Sequence, residues 1–286
     1  MAGRELSGRV VAITGGARGI GRATAEACAR AGMRVAIGDL DPALSDSAAS
    51  EIGGGALGLG LDVRDREDFA AFLEAAEREL GPLDALVNNA GVFHMGRFDE
   101  EDPAETERQL AVNLHAVIEG TRLALARFLP RGDGHIVNIA SSAGEVGVAG
   151  AATYSATKHG VVGFTRALRR ELHGSGVRTT IVKPGVIRTE MISGYASARG
   201  ARMIEPAAVG KAIVRALRTG RTEVFVPPEL AIMARVLHLL PPRGADAYQR
   251  ALRIDRVMLD ADQAAHEAYE RRFVAEESGA PAREGS

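Results

Sequence analysis

The 286-residue chain is short of most features that would set it apart from ordinary globular enzymes. It has one cysteine, Cys28, which rules out an intramolecular disulfide framework and fits a reducing compartment. It has no excess of either charge: 35 Lys and Arg face 37 Asp and Glu, a net charge of -2. That balance gives no electrostatic reason to expect nucleic acid or an acidic membrane as partner. No apolar run is long enough to span a bilayer, and the opening MAGRELSGRVVAITGG has no signal-peptide core, so a cytoplasmic protein is expected. Neither HExxH, paired cysteines nor clustered carboxylates suggest a metal. The 34 glycines follow no triplet period, and no solenoid-type repeat occurs.

What is present is an alternation of short buried runs with longer amphipathic ones. Strand-like runs are Val10–Thr14, Arg34–Asp39, Leu57–Val63, Asp84–Asn89, His135–Ser141, Arg178–Lys183 and Thr222–Pro227. Helix-like stretches between them cover 19–32, 66–81, 103–130, 153–174 and 206–220. Apolar strands separated by such helices require crossover connections and a parallel sheet covered on both faces. The expected fold is α/β: a doubly wound, Rossmann-type, three-layer domain over residues 1–227, with about seven parallel strands. A helical extension follows over 228–275, opened by Pro227-Pro228, and a small polar tail over 276–286. Its apolar stretch 229–240 reads as a packing helix, a cover on a hydrophobic pocket, or a membrane-surface helix.

The first strand runs into Thr14-Gly15-Gly16-Ala17-Arg18-Gly19-Ile20-Gly21 and then a helix. Glycines let backbone approach a pyrophosphate, and the helix start offers N–H groups to it. Asp39 closes the second strand, where a carboxylate accepts ribose hydroxyls and repels a 2′-phosphate, favouring NAD. Arg18 pulls toward NADP if its guanidinium pairs with that phosphate, or is a solvated turn residue. Asp62 and Val63 end the third strand; Asp62 either reaches adenine or caps a turn.

Tyr154 and Lys158 form a YxxxK pair, and Ser141 lies thirteen residues upstream of the tyrosine. One helical turn apart, they share a face. A free phenol titrates near ~10, and an ammonium within ~4–6 Å lowers that value, so Tyr154 can exchange a proton with a substrate oxygen. Ser141 can hydrogen-bond the same oxygen. Only three lysines occur (Lys158, Lys183 and Lys211), which makes one at this position telling. Lys183 itself reads as an ordinary strand-end residue.

With Thr14…Gly21, Asn88-Asn89-Ala90-Gly91, Asn113 and Pro184-Gly185 in the same order, the chain resembles the short-chain dehydrogenase/reductase family over about Leu6 to Pro227. The resemblance implies hydride exchange between a nicotinamide cofactor, NAD or NADP, and a secondary alcohol or ketone. It further implies that Asn113 bends its helix, holds a water and relays protons from Lys158. Asn89, Ala90 and Gly91 would line the adenosine ribose; Ile187 would offer backbone groups to the carboxamide, and Thr189 a hydroxyl to the pyrophosphate. A homodimer or homotetramer is implied as well. The segment 190–205 is expected to close the pocket, with His94, Met95, Glu145, Val146 and Tyr195 as candidate substrate contacts. A greasy extension would suit a lipophilic substrate of steroid, retinoid or acyl type. The competing readings are a catalytically silent dinucleotide sensor, which would be expected to lack Tyr154 or Lys158, and a sugar-nucleotide epimerase, which wants a TGxxGxxG turn and a longer substrate domain.

Overall fold

The computed structural model describes residues 3–189 and 203–251. Seven parallel strands form one sheet in the order β3-β2-β1-β4-β5-β6-β7. They are β1 (Val10–Thr14), β2 (Arg34–Asp39), β3 (Leu57–Gly60), β4 (Leu83–Asn88), β5 (Gly134–Ile139), β6 (Val177–Pro184) and β7 (Glu223–Val226). The order reverses between β1 and β4, so their carboxyl ends diverge into the crevice where open α/β sheets take ligands. Helices α1 (Gly19–Arg30), α2 (Pro42–Ile52) and α3 (Arg66–Leu80) follow the first three strands. Between β4 and β5 lie α4 (Pro103–Leu110) and α5 (Ala116–Phe128); α6 (Ala152–Glu171) precedes β6, and α7 (Pro206–Thr219) precedes β7. Helices α8 (Leu230–Leu239) and α9 (Pro242–Ala251) come last.

Both faces of the sheet are dry, which is why its strands read as continuous apolar runs. Alternate residues of β1 part company: Val11 and Ile13 pack with Cys28, Val209, Ile213 and Leu217 on the α1–α7 side. Val10 and Ala12 pack with Phe69, Phe72, Leu73, Ala124 and Phe128 on the other.

Three details depart from the sequence expectations. Helix α2 was not foreseen, although Asp41 caps it by accepting the Leu44 N–H and Pro42 occupies its first turn. Strand β3 stops at Gly60, so Asp62 and Val63 lie beyond it. The single helix expected over 103–130 is α4 and α5 joined by a wider π-type turn at Ala111–His115, centred on Asn113.

In the extension, α8 buries Ala234 and Leu237, which accords with a packing helix, while Ile232, Val236 and Leu239 face outward. Among the described residues no helix is long and apolar enough to cross a membrane. Tyr195, residues 190–202, and the stretch from 252 to the end lie outside the described residues.

Candidate active site

The glycine turn is held open by its neighbours. Thr14 Oγ accepts the N–H groups of Asn89 and Ala90, each at 3.0 Å, tying the end of β1 to the end of β4. Asn89 Nδ2 donates to the carbonyls of Thr14 and Gly15, each at 2.9 Å. The Asn89 amide nitrogen thus shapes the turn. A Cβ on Gly21 would lie 1.9 Å from the Gly15 carbonyl oxygen, so the helix can begin against the turn only with glycine there. Gly15 and Gly19 have φ of 61° and 55°, in the left-handed region. No side chain caps the start of α1. An uncapped helix start above a glycine cradle is an anion receptor, and these residues fit a dinucleotide pyrophosphate. Thr189 arrives over the same turn, its methyl 3.4 Å from where a Gly19 Cβ would sit. Ile20 packs partly buried beneath it.

Asp39 ends β2 beside this cradle, nearly buried, and accepts the Ala17 N–H at 3.1 Å. Burial pushes its carboxyl above the usual range, opposed by the Ala17 N–H and the Arg18 charge. Arg18 thus faces Asp39 electrostatically and is no isolated solvated residue. Asp62 takes the turn-capping alternative: it accepts the Arg64 N–H at 2.9 Å and grips the guanidinium at 2.7 Å, which holds its carboxyl low although burial opposes it. Val63 joins the core beside Phe69.

Ser141, Tyr154 and Lys158 meet where β5, α6 and the widened turn converge. Ser141, two residues past β5, stands beside Tyr154, and its Oγ accepts the Ala143 N–H at 3.1 Å. Lys158 Nζ lies 5.5 Å from the Tyr154 ring centre and donates to the Ile139 carbonyl at 3.2 Å. Gly91 sits against the same amine: its Cβ would fall 3.7 Å from Lys158 Nζ and 3.1 Å from Asn113 Oδ1. Burial dominates both titrations, pushing the Tyr154 phenol up to about 12 and the Lys158 amine down to about 8. The expectation that Lys158 depresses the phenol is therefore not met by the protein alone. Burial outweighs the neighbouring Ser141 hydroxyl, the one influence that lowers it here.

Asn113 is fully buried, and both ends of its amide are used: Oδ1 accepts the Val92 N–H and Nδ2 donates to the Val92 carbonyl, each at 2.9 Å. This clamp joins the widened turn to the loop carrying Phe93, His94 and Met95. Phe93 meets the Tyr154 ring edge-on, with centres 4.7 Å apart. Phe93, Met95 and Ala151 are buried, with Val148 and Tyr154 packed on them. His94 and Val146 are half-buried at the same rim.

Pro184 ends β6, and the Gly185 N–H donates to the Val226 carbonyl at 2.8 Å. Ile187 is buried and bridges Ile204, though the bonds run through Val186 O and Arg188 N. Glu145, a candidate substrate contact, is buried, and its Oε1 takes Lys183 Nζ at 2.5 Å and Arg166 at 2.7 Å. Lys183 is no ordinary strand-end residue: it is fully buried between Glu145 and Glu223, 4.7 Å over the Phe225 ring. A lysine inside an apolar strand was the visible signal, but its partners lie 38 and 40 residues away.

A doubly wound sheet with a glycine cradle at its switch point and a serine–tyrosine–lysine set beside it defines an oxidoreductase acting on CH–OH groups. Residues 9–200 match the short chain dehydrogenase family, and the chain belongs to that family. It is 37% identical over 227 residues to the ketoacyl reductase HetN of Nostoc sp., covering 77% of this chain and 79% of that one. It resembles the 3-ketoacyl-(acyl-carrier-protein) reductase of Brucella melitensis, solved with NADH, at 31% identity and a TM-score of 0.73, over 77% of this chain and 97% of that one. A short chain dehydrogenase/reductase of Burkholderia phymatum in complex with NAD gives a TM-score of 0.76 at 26% identity, over 82% and 94%.

Proposed function

We propose that this chain transfers a hydride between NAD, in preference to NADP, and a secondary alcohol or ketone. The observation that carries the reading is the Tyr154–Lys158 pair, with Lys158 Nζ 5.5 Å from the tyrosine ring centre and the Ser141 hydroxyl beside the phenol. When bound, the nicotinamide supplies or accepts the hydride, and its positive charge in the oxidised form favours the phenolate. Gly15, Gly19, Gly21 and Thr189 would hold the pyrophosphate, Asp39 the adenosine ribose, and Lys158 the nicotinamide ribose.

Tyr154 takes the proton from the substrate hydroxyl during oxidation and returns one to the carbonyl oxygen during reduction, help worth roughly 10²–10⁴-fold. Ser141 donates to the same oxygen and polarises it. A water relaying protons from Lys158 would sit by the widened turn around Asn113, whose amide keeps its two hydrogen bonds to Val92. The apolar cluster of Phe93, Met95 and Val148 packed with the Tyr154 ring supports a lipophilic substrate of steroid, retinoid or acyl type. A homodimer or homotetramer and a cytoplasmic location complete the reading.

Thermal unfolding with NAD⁺, NADH, NADP⁺ and NADPH, each added separately, tests it. A ligand at 100 times its Kd stabilises the folded chain by about 2.7 kcal/mol. A shift with the NAD pair alone supports the reading; a shift with the NADP pair alone removes the role given to Asp39. No shift with any of the four overturns the function.

A further inference from the structure

Charges buried without water are expensive unless matched, and the interior beside the active site holds a matched set. Lys183 is fully buried at the last residue but one of β6, immediately before Pro184-Gly185. Its Nζ donates to Glu145 Oε1 and to Glu223 Oε2, each at 2.5 Å. Arg166 on α6 reaches the same two carboxylates, at 2.7 Å to Glu145 and 2.9 Å to Glu223. Arg169 stands 3.8 Å from Glu223, and His238 of α8 stands 3.8 Å from Glu145.

The placement of Glu145 gives this set its meaning. It ends the short turn Ser142–Gly144 that Ser141 opens, and its own N–H donates to the Ser142 carbonyl at 3.0 Å. The turn lies on α6 so closely that a Cβ on Gly144 would fall 2.7 Å from the Lys158 carbonyl oxygen. The Glu145–Lys183 pair thus joins the segment carrying Ser141 to the turn expected to flank the nicotinamide. Helix α8 braces the same two places, through Leu230 against Gly185 and His238 near Glu145.

We propose that Glu145 and Lys183 are positioning residues for hydride transfer, the buried pair fixing Ser141 relative to the Pro184-Gly185 turn. The proposal rests on the functional reading above and adds to it two residues that touch neither substrate nor cofactor. Any aliphatic pair could fill the volume; a charged pair adds direction, because the carboxylate and ammonium meet only in one relative placement of the two turns.

The test uses the full chain with NADH and a ketone it reduces. Glu145→Asp keeps the charge and shortens its reach by one methylene. The double variant Glu145→Gln with Lys183→Met removes both charges and leaves Arg166 paired with Glu223. Both variants are expected to lose roughly 10- to 10²-fold in kcat, the scale of an ångström misplacement. The Kd for NADH should stay near that of the unaltered chain. Lys183→Met alone is expected to lower the melting temperature, and the double variant to recover it without recovering kcat. A double variant that regains both, or a Glu145→Asp variant with unaltered kcat, overturns the positioning role; if the double variant does not fold, Glu145→Asp decides. Failure of the unaltered chain to bind NADH and reduce any ketone overturns the functional reading itself, and the positioning role with it.

Discussion

Asn113 and Val92 exchange two hydrogen bonds, amide to backbone, across 21 residues of sequence, and both residues are buried. This clamp sets the loop Phe93–Met95 against Tyr154, so a helix defect and a pocket wall are one construction. Asn113→Ala leaves a buried N–H and a buried carbonyl without partners, at about 1–3 kcal/mol for each group. The variant is expected to unfold at lower urea concentration and to lose turnover. Equilibrium unfolding with an unchanged midpoint would contradict the clamp.

The proposed preference for NAD rests on Asp39. Asp39→Ala removes the charge that repels a 2′-phosphate and leaves Arg18 in place. The ratio of kcat/KM for NAD over NADP should fall by roughly tenfold or more, equivalent to about 1.4 kcal/mol. Steady-state kinetics with both cofactors measures it, and an unchanged ratio would remove Asp39 from the selection.

Glu223 makes stability depend on acid. Burial opposes its ionisation, but Arg166 and Lys183 outweigh burial and hold its carboxyl down at about 2, against 4.5 when free. The folded state then binds fewer protons than the unfolded chain between those values. The stabilisation is fully present above pH 4.5 and is lost as the pH falls toward 2. The stability difference between the unaltered chain and Glu223→Gln should therefore be large at neutral pH and shrink in strong acid. Denaturant midpoints of both proteins across that range check the slope; a difference independent of pH would contradict it.

The layered sheet was legible because both faces are dry: β1, with Val10 and Ala12 on one side and Val11 and Ile13 on the other, cannot be anything but a central strand. Tyr154, Lys158 and the glycine turn were legible because their chemistry sits within single helical turns. Helix α2 escaped notice because its inward face is made of Ser45, Ala48 and Ala49, too small to give a strong period. The Glu145–Lys183 pair escaped because its meaning lies in a parallel-sheet crossover: β5 and β6 are neighbours in the sheet, while α6 separates them in sequence. Asp62 was readable only as a choice, and its bonds to Arg64, two residues on, show the turn-capping half of it.

The most direct test of the proton-transfer account is Tyr154→Phe, which removes one hydroxyl and keeps the ring that packs against Phe93. NADH binding by fluorescence titration and kcat for ketone reduction are measured on the same preparation. The expected result is a Kd for NADH close to that of the unaltered chain and a kcat lower by roughly 10²-fold or more. A variant that binds NADH and retains most of its kcat would show that the proton travels by another route, and the role assigned to Tyr154 would be wrong.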